Sequence, residues 1–119
     1  SPFSADDQDQ ATQDFVKMYK DAYNGETPNQ FAADAYDGVM VLAELMKKEG
    51  ITADMSASDI CDKLKKAISD KDFSYDGLTG TGMKWGEDGA VSKDPKAVII
   101  KNGAYSALTA DDIAASTAQ

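Results

Sequence analysis

Histidine and arginine are absent from this chain of 119 residues. Without histidine the commonest general base and zinc ligand are missing, together with every Ser-His or Cys-His nucleophile pair. Any catalysis would fall to carboxylates or lysines. Without arginine there is no guanidinium fork to read phosphates or guanine edges. Acidic residues outnumber basic ones 21 to 12, a net charge of -9, which excludes nucleic acid as a partner and sets the chain against an anionic membrane surface. The single cysteine, Cys61, cannot close an internal disulfide and leaves the redox compartment open. No apolar run approaches the ~18 residues of a membrane helix, and no basic-then-apolar leader opens the chain.

What is present is ordinary for a folded protein: 42% hydrophobic and 28% charged residues, well away from the composition of a disordered chain. The length allows one small core.

From Ala11 to Tyr23 the apolar side chains Ala11, Phe15, Met18, Tyr19 and Ala22 recur at spacings of three and four, which predicts one stripe on a first helix. Asp6, Asp7 and Asp9 precede it as cap and dipole partners, and Asn24-Gly25 stops it. A second helix is predicted over Gln30–Lys48, capped by Asn29, with apolar residues over far more than one face. It reads as a central buried helix. Lys47 and Lys48 suit its negative end, and Gly50 suits the left-handed position beyond. Ser56 or Ser58 caps a third helix reaching Ser69, with Ile60, Cys61, Leu64, Ala67 and Ile68 as its apolar stripe.

Beyond Asp70 the period changes. Met83-Lys-Trp85 reads as a short strand, and Gly86-Glu-Asp-Gly89 as a turn. Ala97–Lys101, Asn102-Gly103 and Ala104–Leu108 form the strongest local signal, because Asn-Gly is the preferred pair for a type I′ hairpin. That hairpin is given only Met83–Trp85 to pair with. Thr109–Gln119 is small and polar with a Thr-x-x-Asp start, and reads as a frayed helix or a flexible tail. Three helices and a few strands close poorly as a domain, so the chain is expected to be part of something larger.

The motifs that suggest chemistry fail on their spacing. Gly77-Leu-Thr-Gly80-Thr-Gly82 is no phosphate loop, because Gly82 is followed by Met83 rather than Lys-Ser/Thr, and Trp85 stands where a dinucleotide motif needs its third glycine. These glycines read as backbone turns. Asp70-x-Asp72-x-Ser74-x-Asp76 alternates oxygen ligands, but Tyr75 and Thr81 occupy the positions where a calcium loop needs glycine and glutamate. No metal is expected. Asp34 and Asp37, three apart on the second helix, could suggest a catalytic carboxylate pair; the simpler expectation is that one is solvated and the other bonds backbone or lysine. Cys61 is expected to be a small core residue. No lysine stands out as a Schiff-base candidate.

The order of these pieces carries a resemblance. Phe15-Val-Lys-Met-Tyr-Lys-Asp-Ala-Tyr23, followed by Glu26-Thr-Pro-Asn-Gln-Phe-Ala-Ala-Asp-Ala-Tyr-Asp-Gly-Val39, resembles the signature of type I periplasmic binding proteins of the branched-chain amino acid transport family. Asp72-Phe-Ser-Tyr-Asp-Gly-Leu-Thr-Gly80, Met83-Lys-Trp-Gly-Glu-Asp-Gly89 and Lys96-Ala-Val-Ile-Ile-Lys-Asn-Gly103 are similar to that family's later motifs, in the same order. The match runs from about Phe3 to Leu108. One departure is Gly38, where the family usually has alanine.

The resemblance implies an α/β fold: the C-terminal fragment of a two-lobed receptor, with residues 1–72 a helical segment of the first lobe, 73–108 the crossover strands and closing hairpin, and 109–119 a flexible tail. It implies the substrate-binding component of an ABC transporter for branched-chain or other amino acids. It further implies extracytoplasmic location with the leader missing from this chain, permease subunits as partners, no cofactor and no catalysis. Most ligand contacts would lie upstream. The contact carried over is Phe31, the aromatic residue opening the long helix, whose other reading is core packing. Two alternatives stand beside this: a ligand-sensing domain of a receptor, and a stand-alone acidic protein-interaction module. An exposed helix face would also favour self-association of the isolated chain.

Overall fold

The computed structural model describes residues 3–118. The elements run α1 (Gln10–Ala22), α2 (Gln30–Lys48), α3 (Ala57–Ile68), β1 (Lys84–Trp85), β2 (Val91–Ser92), β3 (Val98–Lys101), β4 (Ala104–Ala107) and α4 (Ala110–Thr117). They fall into two compact units, one of residues up to Ala33 with those from Pro95 onward, the other Asp34–Asp94.

In the first unit, Asp9 caps α1 by accepting from the Thr12 N–H, which satisfies one of the donors a helix start leaves free. At the other end the Gly25 N–H reaches the Lys20 carbonyl at 2.8 Å, with Asn24 and Gly25 both at positive φ. This is the helix stop that Asn-Gly predicts. The buried residues of α1 are Thr12, Phe15 and Val16, so the buried face is rotated from the predicted stripe and leaves Met18 exposed. Phe15 meets Phe3 edge-on and Tyr19 at a tilt, each with ring centroids 6.0 Å apart, an arrangement that suits the quadrupoles of aromatic rings.

The hairpin forms as its turn chemistry requires. β3 and β4 pair antiparallel with Lys101 opposite Ala104, and Asn102 and Gly103 take φ of 50° and 78°, the positive values of a type I′ turn. Residues after Leu108 form α4. Its Thr-x-x-Asp start is a full capping box, Thr109 and Asp112 each bonding the other's backbone N–H.

In the Asp34–Asp94 unit, α3 is capped by Ser56, whose hydroxyl accepts from the Asp59 N–H at 3.1 Å. The core is Val41, Leu45, Ala67 and Phe73, with Leu64, Ile68, Tyr75 and Trp85 packed against it. Three expectations need correction here. α2 is not buried all round: Asp37, Val41 and Leu45 are buried at a spacing of four, while Val39, Met40, Leu42 and Met46 are exposed. A helix with one packed neighbour layer can bury only one stripe. Cys61 is exposed: it shares a stripe with Leu64 and Ile68 but lies a turn nearer the helix start, and the core meets α3 only at Leu64, Ala67 and Ile68. Finally, the hairpin does not pair with Met83–Trp85. β1 pairs with β2 around the Gly86–Gly89 turn, while β3 and β4 make a separate two-stranded sheet. β2 escaped the sequence reading because two residues with polar neighbours carry no alternation to detect.

Candidate functional site

The polar centre of the Asp34–Asp94 unit is Asp37. Its position in the series Asp37, Val41, Leu45 puts a carboxylate on the buried stripe of α2, 5% exposed. A buried carboxylate is tolerated only when donors surround it. They come from the loop 77–82: the Leu78 N–H donates to one carboxylate oxygen at 2.8 Å, and the Thr79 N–H and Thr79 hydroxyl donate to the other at 2.8 and 2.7 Å. Lys93 Nζ donates to Thr79 Oγ1 at 2.9 Å and stands 3.6 Å from Asp34.

The loop is built to receive that carboxylate. Tyr75 and Met83 exchange both backbone hydrogen bonds and close its base, the Gly77 N–H bonds the Gly80 carbonyl at 2.8 Å, and the Gly82 N–H bonds the Asp76 carboxylate at 2.7 Å. A Cβ on Gly77 would lie 2.6 Å from an Asp37 oxygen, so the approach of helix to loop requires glycine there. The N–H groups that a phosphate-binding loop would offer to an anion are already donated inside the protein, to Asp37 and Asp76. The turn reading of these glycines is therefore right, and its organising partner sits more than forty residues upstream.

This geometry also separates the two aspartates. Asp37 has donors on both oxygens and is enclosed by the loop, while Asp34 is half-buried beside Lys93. The two carboxylates have separate partners. Tyr75, packed against the core, has its phenol pushed above its ordinary value by burial first, then by the negative charges of Asp37 and Glu44. Among the described residues no group of three or more His, Cys, Asp or Glu side chains could hold a metal ion.

Phe31 lies in the first turn of α2 and is 77% exposed. Core packing does not occupy it in this chain. The helix start that carries it is held by Asn29, whose side-chain oxygen accepts the Ala32 N–H at 3.0 Å. Tyr36 is half-buried.

A shallow recess of about 340 Å³ lies against α3, lined by Asp62, Lys65, Lys66, Ser69 and Glu87. Its walls carry both signs of charge and no apolar anchor, unlike a typical small-molecule site.

The sequence reading missed the partnership of Asp37 with loop 77–82 and the part of Lys93 in it. The signal was present: an aspartate in register with Val41 and Leu45 must find donors, and Gly-Leu-Thr-Gly is rich in free N–H groups.

The family model described as periplasmic binding protein matches residues 1–104. The chain belongs to the periplasmic binding protein family. The fold agrees. A crystal structure described as a branched-chain amino acid ABC transporter from Rhodospirillum rubrum superposes with a TM-score of 0.65 at 20% identity, covering 91% of this chain. This chain spans 29% of that one. No curated protein sequence matches it significantly. Within the family's fold, the mixed order of three helices, short strands, a hairpin and a fourth helix is part of a periplasmic-binding-protein architecture.

Proposed function

We propose that this chain is the C-terminal portion of the solute-binding component of an ABC transporter, working outside the cytoplasm and taking an amino acid of the branched-chain class. The observation that carries the reading is the family match over residues 1–104. In this reading the chain supplies part of a receptor whose two lobes close on the ligand, and closure signals occupancy to the permease. It is a binding function without chemistry.

Two features of the chain support it. Phe31 presents an exposed aromatic ring at the N-terminal turn of α2, where an apolar ligand side chain can pack against it. The outer stripe of α2, with Val39, Leu42 and Met46, is apolar and exposed, as suits a helix that packs on the rest of its lobe in the whole receptor.

The test is calorimetric titration of leucine, isoleucine and valine into the whole receptor that contains this segment, with a neutral sugar as control. Saturable binding of at least one amino acid and not of the sugar is expected, with Phe31→Ala weakening it about tenfold through loss of apolar contact. Residues 1–119 alone should show no saturable binding. Sugar binding in place of amino acid binding would overturn the proposal, and an unchanged affinity in Phe31→Ala would remove Phe31 from the site.

A further inference from the structure

The sequence holds two Asn-Gly pairs, Asn24-Gly25 and Asn102-Gly103, and the fold treats them differently. Asn-Gly is the dipeptide most prone to spontaneous deamidation, because glycine leaves its backbone nitrogen unhindered for attack on the asparagine side chain. Both pairs are exposed, and both have positive φ at each residue.

At the first pair the attacking nitrogen is engaged. The Gly25 N–H donates to the Lys20 carbonyl at 2.8 Å and closes the C-terminal end of α1. Reaction there requires the helix stop to be undone. At the second pair, among the described residues, neither the Gly103 N–H nor the Asn102 side chain has a hydrogen-bond partner. The turn caps a two-stranded sheet in which Ile100 and Tyr105, directly opposite each other, are 67% and 71% exposed. Opening the tip of such a hairpin disrupts few buried contacts.

We propose that Asn102 is a site of spontaneous, structure-directed modification, and that the fold protects Asn24 from the same reaction. The Gly103 nitrogen attacks Cγ of Asn102, forming a C–N bond. The nitrogen loses its proton and the side-chain nitrogen departs as ammonia, leaving a succinimide. Water then adds to one of the two ring carbonyls. Opening on the side-chain side gives aspartate; opening on the main-chain side gives isoaspartate, with the peptide routed through Cβ. No oxidant or reductant enters.

The consequences are local and specific. Isoaspartate lengthens the backbone of a two-residue turn, which breaks the pairing of Lys101 with Ala104. Either product adds a carboxylate beside Lys101, whose Nζ holds Asp112 of the α4 capping box at 2.6 Å. The new charge competes for that lysine. Modification at the turn thus loosens the attachment of α4 to the hairpin.

The test is incubation of the folded chain in mildly alkaline buffer, followed by peptide mapping that separates asparagine, aspartate and isoaspartate at both sites. The same chain in concentrated denaturant serves as control. In denaturant both pairs should react at similar rates, since both are followed by glycine. In the folded chain Asn102 should convert severalfold faster than Asn24. A second measurement follows amide exchange in Asn102→Asp, where the α4 amides should exchange faster than in the parent. Equal rates at the two sites in the folded chain, or faster conversion at Asn24, would overturn the proposal. So would an Asn102→Asp chain whose α4 amides exchange as slowly as the parent's.

Discussion

Asp37 illustrates what one residue can organise. Its carboxylate is the acceptor for two backbone N–H groups and one hydroxyl of the loop, so its removal leaves donors buried without partners. Asp37→Ala should therefore destabilise the chain by about 3 kcal/mol, and Asp37→Asn by less, because the amide keeps one acceptor oxygen. Gly77→Ala should be costly in the parent, where its Cβ meets the carboxylate, by about 2 kcal/mol. The informative measurement is the double-mutant cycle in urea unfolding. In the Asp37→Ala background the obstructing atoms are gone, so Gly77→Ala should lose most of its effect, and strict additivity would contradict the clasp. At this scale the sequence was partly legible. The spacing of Asp34 and Asp37 pointed to one solvated and one bonded carboxylate, and the structure shows the bonded one. Which atoms satisfy it depended on a contact forty-one residues away in the chain, and no local pattern carries that.

Among the elements, those whose signals are local came out as read. Asn29 caps α2, Ser56 caps α3 and Asn102-Gly103 turns the final hairpin, because caps and turns are decided by residues within a few positions of one another. α4 owes its start to the capping box of Thr109 and Asp112, and that box is linked to β3 through Lys101. The hydrogen bond from Lys101, then those from Thr109, hold the Asp112 carboxyl down to about 2, from an ordinary value of 3.8. A depressed carboxyl contributes stability that is whole above the unfolded value and is lost as pH falls through the folded one. The α4 amides should accordingly be protected above about pH 4 and lose protection between there and about 2, as followed by hydrogen exchange. Asp112→Asn should flatten that dependence; an unaltered acid transition in this variant would show that another group controls α4.

For the whole molecule the question is which surfaces are inside. α2 carries apolar residues on more than one face, yet only the stripe through Val41 and Leu45 is packed. Leu45→Ala should cost about 3 kcal/mol by opening a cavity in the core. Val39→Lys, at a site 66% exposed, should change the stability of this chain by no more than about 0.5 kcal/mol. Urea unfolding of both variants checks this. A large loss in Val39→Lys would mean that the outer face of α2 is covered in solution. No helix among the described residues is long and apolar enough to cross a membrane.

The sequence by itself determined the first three helices, the residues that could cap them, the Asn-Gly turns and the order of motifs that the family match supports, because each rests on residues close together in the chain. It also excluded histidine and arginine chemistry, which composition alone can do. Only the tertiary structure decided that Asp37 fills the glycine loop, that β1 finds β2 rather than the hairpin, that Cys61 is left exposed and that α2 buries one stripe. Those outcomes depend on which distant segment reaches a surface, and hydrophobicity specifies that a residue can be buried without specifying what will bury it.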